Sequence, residues 1–321
     1  MNIEQISKKL SVPTEDLLKK ETGVYWGEWT FYALVYGIRA MYNAYKGGEI
    51  TGEKFKGLAG PVVERLMSRE AVEFDTRYWN GAVDEDLADT SRHHLATVSL
   101  RCWGLQMYSE VTRERGEEYK QYLKALNDRY VDNDYNMLMV GLSMPLFVPD
   151  NMIGLAVLDN TEYSETAARV LAKANFDYTN LLPDTIGGSL QYTSGAYNAL
   201  TCYYLSLFRD TTNARKLWDT IYIKLHTRVF LCIDGIKEID GEQPMVWIDK
   251  EGGPVLKGVG VIATAFSVGL AKKFGPEKFY KNISRSGSVV EVLLKVVRMA
   301  DGTIVGPMIL AALKRERSEG E

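Results

Sequence analysis

Apolar residues recur along this chain at the spacing of one helix face, and polar or glycine-rich breaks interrupt them roughly every 20 to 30 residues. Trp29, Ala33, Tyr36, Ala40 and Ala44 mark a helix over 26–45, which Gly47-Gly48 stops. A helix over 55–72 follows, with Pro61 as a kink or break. Asp89 or Thr90 is placed to cap a long helix that runs to Arg115 and ends at Gly116. Further helices are expected over 117–131, 150–158, 161–174, 194–208, 211–228, 257–274, 276–297 and 306–317.

Three stretches break this rhythm. Residues 179–193 carry the turn signals Pro183-Asp184 and Gly187-Gly188. Residues 229–239 read as a hairpin around Asp234-Gly235. Trp247-Ile248-Asp249-Lys250-Glu251-Gly252-Gly253-Pro254-Val255 reads as a strand with two acids and a sharp turn, feeding a small-residue helix from Gly258 to Gly269. The spacing of small residues on that helix makes a narrow face for close helix contact.

About eleven helices with short connections and no low-complexity linker predict an all-α fold in one domain over 1–321. Helix pairs in this number fit an (α/α)6-type toroid, with inner helices ringing a cavity and short β excursions in the loops. An irregular helical domain and a solenoid are the alternatives. The solenoid is weakened by the absence of a repeat consensus and by the strand-like excursions. Residues 1–24 read as a polar extension, and 314–321 as a frayed C-terminus.

Composition narrows the function. A net charge of -4 gives no electrostatic case for nucleic acid. The longest apolar runs, 137–149 and 258–271, fall short of the ~20 residues of a membrane span. Cys102, Cys202 and Cys232 have no disulfide or metal spacing, so reduced thiols and a cytoplasmic location are expected. His93 and His94 are neighbours and point about 100° apart on a helix, which disfavours shared metal chelation. No metal is expected. No nucleotide-binding or kinase motif is present, and no cofactor is expected. A small molecule is the expected partner, and homo-oligomerisation stays open.

The candidate chemistry sits at the breaks. Asp150 follows the apolar run 144–148, where burial raises a carboxyl pKa and makes a general acid or base, or where the acid caps a helix. Asp249 and Glu251 share one side of an extended segment and form a second acid pair, with surface pairing of Glu251 to a lysine as the alternative. Asp150 and Asp249 are expected in one cavity, about 5 to 10 Å apart. His93 is a candidate proton shuttle, beside a purely structural role. Asn151, Tyr192, Ser194, Trp247, Trp79 and Trp29 are the candidate substrate-binding residues. Tyr32, Tyr36, Tyr197, Tyr203 and Tyr204 belong to the same set of aromatics suited to a cavity wall or to helix packing. Residues 179–193 suit either a lid over the cavity or a fixed plug.

Pro149-Asp150-Asn151 ahead of an apolar helix, Tyr192-Thr193-Ser194-Gly195 ahead of another, and Asp249 before Gly253-Pro254-Val255 and the Gly258–Phe266 run occur in an order that resembles the linalool dehydratase-isomerase-like α/α-toroid proteins. The resemblance spans about 26–274 and implies a barrel with polar loops at one mouth. Val148 stands where related sequences often carry Cys, and Lys250-Glu251-Gly252 intervenes before Gly253-Pro254. The expected function is therefore acid–base lyase or isomerase chemistry on a small, mostly apolar alcohol. A carbohydrate-active toroid and a non-catalytic helical scaffold are the alternatives.

Overall fold

The computed structural model describes residues 2–13, 27–142, 144–187, 193–230, 233–239, 246–249, 253–256, 258–296 and 305–316. The fold is all-α. Its helices are α1 (Ile3–Leu10), α2 (Glu28–Lys46), α3 (Gly52–Met67), α4 (Glu73–Trp79), α5 (Leu95–Thr112), α6 (Gly116–Asp132), α7 (Val148–Asp159), α8 (Ser164–Ala174), α9 (Gly195–Leu205), α10 (Thr212–Leu225), α11 (Val261–Phe274), α12 (Glu277–Val296) and α13 (Val305–Leu313). Among the described residues, short strands lie only in connections. β1 (Leu146–Phe147) pairs with β2 (Thr185–Ile186), and β3 (His226–Phe230) pairs with β4 (Ile233–Ile236), both antiparallel. β5 (Val246–Asp249), β6 (Gly253–Leu256) and β7 (Val259–Gly260) form an antiparallel three-stranded sheet in that order.

A helix that is apolar all round its circumference has to be buried on all sides. In α7 every residue from Val148 to Leu158 is buried, and in α11 every residue from Val261 to Ala271. Helices α5 and α9 are nearly as enclosed. Each finds its cover in the next. α2 packs on α5, α5 on α7, α7 on α9, α9 on α11 and α11 on α13, and α13 returns to α2, which closes a cycle of six helices. The amphipathic helices sit against this cycle: α3 on α2 and α5, α6 on α5, α8 on α7, α10 on α9 and α12 on α11.

The middle of the cycle is filled by aromatic rings. Tyr36 lies 5.9 Å from Trp103 and 5.5 Å from Phe266, and Trp103 lies 6.1 Å from Tyr204. Buried phenols need partners. Tyr36 donates to the Tyr204 hydroxyl at 3.1 Å, and Tyr203 donates to Glu316 at 2.7 Å. Arg39 grips Glu316 with two bonds of 2.9 Å, and Asn43 adds a third donor at 3.0 Å. This charge-assisted fork fixes 314–316 against the cycle, so the expected frayed end is corrected over those residues. Residues 317–321 lie outside the described part.

Several boundaries differ from expectation. Ile3, Ile6 and Leu10 are buried, so residues 3–10 form a docked amphipathic helix and not a polar extension. α1 packs on α2 and α3, where a Cβ at Gly37 would stand 2.1 Å from Leu10 Cδ1. Pro61 lies on the exposed side of an unbroken α3. The long helix expected from Asp89 begins only at Leu95. Arg129 donates from its buried guanidinium to the carbonyls of Asp86, Leu87 and Arg92 and holds the segment before α5 in a non-helical course. Gly116 starts α6 where a stop was expected. Asp234-Gly235 falls inside β4 and is not the turn of the hairpin; residues 231–232 lie outside the described part.

One device recurs at the fourth residue of successive inner helices. Asn151 accepts the Leu138 N–H at 2.8 Å and donates to the carbonyls of Leu138 and Phe147 at 3.0 and 2.9 Å. Asn198 does the same with the Leu182 N–H, the Leu182 carbonyl and the Ser194 carbonyl, at 2.8, 3.0 and 2.9 Å. Thr264 accepts the Ile236 N–H at 3.2 Å. Each side chain straps the preceding long connection to its helix. An unpaired buried amide costs about 1 to 3 kcal/mol. Asn151→Ala and Asn198→Ala are therefore expected to lower unfolding stability by about 2 to 4 kcal/mol each, read from urea midpoints. A loss below about 0.5 kcal/mol in both would show that the straps are not stabilising.

Candidate active site

The two ends of the cycle are built differently. Short connections, 47–51, 113–115, 160–163, 206–211 and 275–276, follow the C-terminal ends of α2, α5, α7, α9 and α11. Long ones, 80–94, 133–147, 175–194 and 226–260, lead into the N-terminal ends of α5, α7, α9 and α11. Long connections on a rigid frame are where sites are placed.

A small cavity of about 50 Å³ opens at that second end. Its wall takes residues from the first turns of the inner helices: Trp29 and Tyr32 of α2, Ala96 of α5, Asp150 of α7, Ala196 and Tyr197 of α9, and Ile262 of α11, with Ile309 of α13. The inner helices thus enter the cavity with the same end and run parallel. A second cavity, of about 490 Å³, lies toward their C-terminal ends, with Arg39, Glu110, Asn160, Lys273 and Glu316 on its wall. The aromatic plug lies between the two.

The first cavity is mostly apolar, with Phe74, Val140, Met144, Phe147, Leu200 and Phe266 on its wall. Three carboxylates interrupt this surface: Glu28, Asp75 and Asp150. Asp150 is buried, and Tyr32 donates to its Oδ1 at 2.6 Å. Burial pushes the Asp150 carboxyl up to about 6, against the opposing pull of the Tyr32 hydrogen bond. Burial also lifts the Tyr32 phenol well above its ordinary range, so it is a donor throughout neutral pH. Tyr78 donates to Glu28 at 3.4 Å.

Asp75 is fully buried and is raised by burial, with the His94 hydrogen bond pulling the other way. Its Oδ2 meets His94 Nδ1 at 2.6 Å. Its Oδ1 makes no hydrogen bond among the described residues, since Thr97 is near but outside bonding geometry. The other nitrogen of His94, Nε2, meets Asp86 Oδ2 at 3.2 Å. Asp86 in turn pairs with Arg92 at 2.9 Å.

Of the residues singled out from sequence, Asp150 and Trp29 line this cavity. Tyr32 and Tyr197 join them, while Tyr36, Tyr203 and Tyr204 belong to the plug. Asn151 is committed to the backbone strap and offers nothing to a substrate. Ser194 caps α9, accepting the Tyr197 N–H at 3.1 Å. Trp79 is buried behind the wall, with its indole N–H on the Val140 carbonyl at 2.8 Å and its ring against His93 and His94. His93 accepts the Met139 N–H at 2.9 Å, and burial lowers its pKa to about 4. It is a neutral anchor for the 137–147 connection, not a shuttle. Trp247 and Asp249 lie on β5, but their side chains are outside the described residues, as are Tyr192 and Glu251. The stretch 179–193 is strapped at Leu182 and paired through Thr185–Ile186, and 188–192 lie outside the described part.

Glu28, Asp75 and His94 were not marked as a group from sequence. One signal was available: Asp75 stands among Phe74, Tyr78 and Trp79, an acid inside an aromatic cluster. Cys102 and Cys202 are buried free thiols, and burial raises both; Cys232 is outside the described residues. Among the described residues no helix is long and apolar enough to cross a membrane. No family model and no curated protein matches this chain.

Proposed function

We propose that the cycle of six inner helices and its outer partners is an (α/α)6 toroid, and that the cavity at its long-loop mouth is the active site of an acid–base enzyme. The carrying observation is Asp150: a buried carboxyl, raised to about 6, facing a mostly apolar cavity with one phenol on it. A group with that pKa is both a usable acid and a usable base near neutrality. The apolar wall selects a small, mostly hydrocarbon substrate, and the few polar groups select one hydroxyl. Removal or addition of water, or a double-bond shift, fits these parts. Parallel helix N-termini add partial positive charge at the mouth, which favours negative charge developing on a substrate oxygen. The order of motifs shared with linalool dehydratase-isomerase-like proteins supports the same class. A carbohydrate reading is less well supported, because sugars need more polar partners than this wall offers.

The test is a panel of small unsaturated alcohols, with products read by gas chromatography and binding read by quenching of Trp29 fluorescence. Asp150→Asn is expected to lower kcat by about 10²- to 10⁴-fold. Tyr32→Phe removes the bond that holds the Asp150 carboxyl down, so the corresponding limb of the pH–rate profile moves to higher pH. If no alcohol quenches Trp29 or turns over, while oligosaccharides bind, the lyase or isomerase assignment fails.

Asp150 also has a thermodynamic signature. Its carboxyl titrates near 6 folded and near about 3.9 unfolded. The folded state binds the extra proton between these values, so stability falls as pH rises through that window. The full benefit is present below about pH 4 and is lost above about pH 6, a change of about 3 kcal/mol. Asp150→Asn is therefore expected to be more stable than the wild type at pH 7, by up to that amount, and no more stable at pH 4. Urea melts from pH 4 to 7 check this, and a parallel pH dependence in both proteins would refute it.

A further inference from the structure

Acid–base chemistry in an enclosed apolar cavity has to exchange protons with water. We propose that Asp75, His94 and Asp86 form a proton relay through the wall of the fold, from the candidate cavity to solvent; this rests on the acid–base reading of that cavity. The three groups are in line. Asp75 lines the cavity and is 1% exposed, the His94 side chain is 0% exposed, and the Asp86 side chain is 16% exposed. The two contacts, 2.6 and 3.2 Å, use both ring nitrogens. A histidine that only pins a loop needs one acceptor. Here each nitrogen faces a different carboxylate, and the two carboxylates face different compartments. The ring cannot drift, because Trp79 lies against it at 5.1 Å and is itself tied to the Val140 carbonyl. His94 also holds a left-handed backbone with φ of 45°, a conformation with a modest cost for a non-glycine residue.

The surroundings favour the proton at the cavity end, on Asp75, over the solvent end, on Asp86. Arg92 pairs with Asp86 from the solvent side and holds its carboxyl below the ordinary range, although burial pulls it up. Arg101 and Arg129 act on Asp75 at longer range, and His93 is the remaining titratable neighbour. The transfer balances as follows. Protonated Asp75 gives its proton to Nδ1 of neutral His94, which already carries a proton on Nε2. The imidazolium then releases the Nε2 proton to Asp86, and Asp86 releases it to water. His94 is left with its proton on Nδ1, bonded to the Asp75 carboxylate. A reaction that gives up one proton and takes up one resets the relay by running it backwards.

The experiment follows the His94 ring protons by NMR in protein carrying ¹⁵N-histidine, with water as the only probe. A relay predicts that the His94 ring N–H exchanges with water at least 100-fold faster than the backbone amides of Val98 and Leu100. Asp86→Asn should slow that exchange at least tenfold with little change in the thermal midpoint. Arg92→Gln, further out, frees the Asp86 carboxyl to bind protons at higher pH and should move the pH dependence of exchange upward. Exchange as slow as the neighbouring amides, or unaltered by both substitutions, would mean a static clamp and overturn the proposal. None of these readouts needs turnover, so a failed substrate panel and a failed relay are separate results. With a turned-over alcohol in hand, Asp86→Asn should lower kcat and raise its solvent isotope effect at constant KM. A change in KM alone would overturn the relay.

Discussion

A cycle of six helices has a bore, and the whole molecule depends on how that bore is filled. Aliphatic side chains would fill it with no polar atoms to satisfy. This chain fills it with Trp103, Phe266 and the tyrosines Tyr36, Tyr203 and Tyr204, which bring three hydroxyls into a buried space. Those hydroxyls then dictate what surrounds them. Tyr36 and Tyr204 answer one another, and Tyr203 requires an acceptor from outside the bore. Glu316 supplies it, and a partly buried glutamate is held there by Arg39. The end of the described chain is thereby tied to the helix that starts the cycle. The plug also divides the interior, so each mouth has a cavity of its own, one mostly apolar and one lined by charged groups.

The helices were legible in the sequence because period and burial agree in them. The segments over 148–159, 195–205 and 261–274 are apolar on every face, and such segments can only be central. What sequence reading missed lies where side chains distant in sequence take over the backbone. Arg129 occupies the carbonyls of the 86–92 segment, so a plausible cap at Asp89 opens no helix there. Asn151 looks like a binding residue beside Asp150, yet its amide belongs to Leu138, 13 residues earlier. The parallel between Asn151 and Asn198 is invisible as a repeat, because a single amide in each unit carries it.

The candidate site shows the same division. Asp150 was legible because an acid directly after an apolar run has few places to go except a buried helix start. Its partner Tyr32 is 118 residues away on α2, so nothing local announces the pair. His93 and His94 illustrate the limit sharply. Adjacent residues of one type take opposite roles: His93 accepts an amide and stays neutral, while His94 bridges two carboxylates. The left-handed turn at His94 swings the two rings apart, and no pattern of residue types reports that turn.

Two carboxylates, Asp150 buried and Glu316 partly buried, one at each mouth, show what the fold does with charge. Burial raises the proton affinity of both Glu316 and Asp150. At Glu316 the fold adds a bidentate arginine, a phenol and an amide, and together they hold the carboxyl below its ordinary range. That group is fixed as an anion, and its work is to hold the plug and the chain end in place. At Asp150 the fold supplies one phenol, so burial wins and the carboxyl stays convertible near neutral pH. Unequal support from the surrounding residues separates a structural acid from one suited to chemistry. A second arginine beside Asp150 would have made that mouth more stable and less able to exchange a proton.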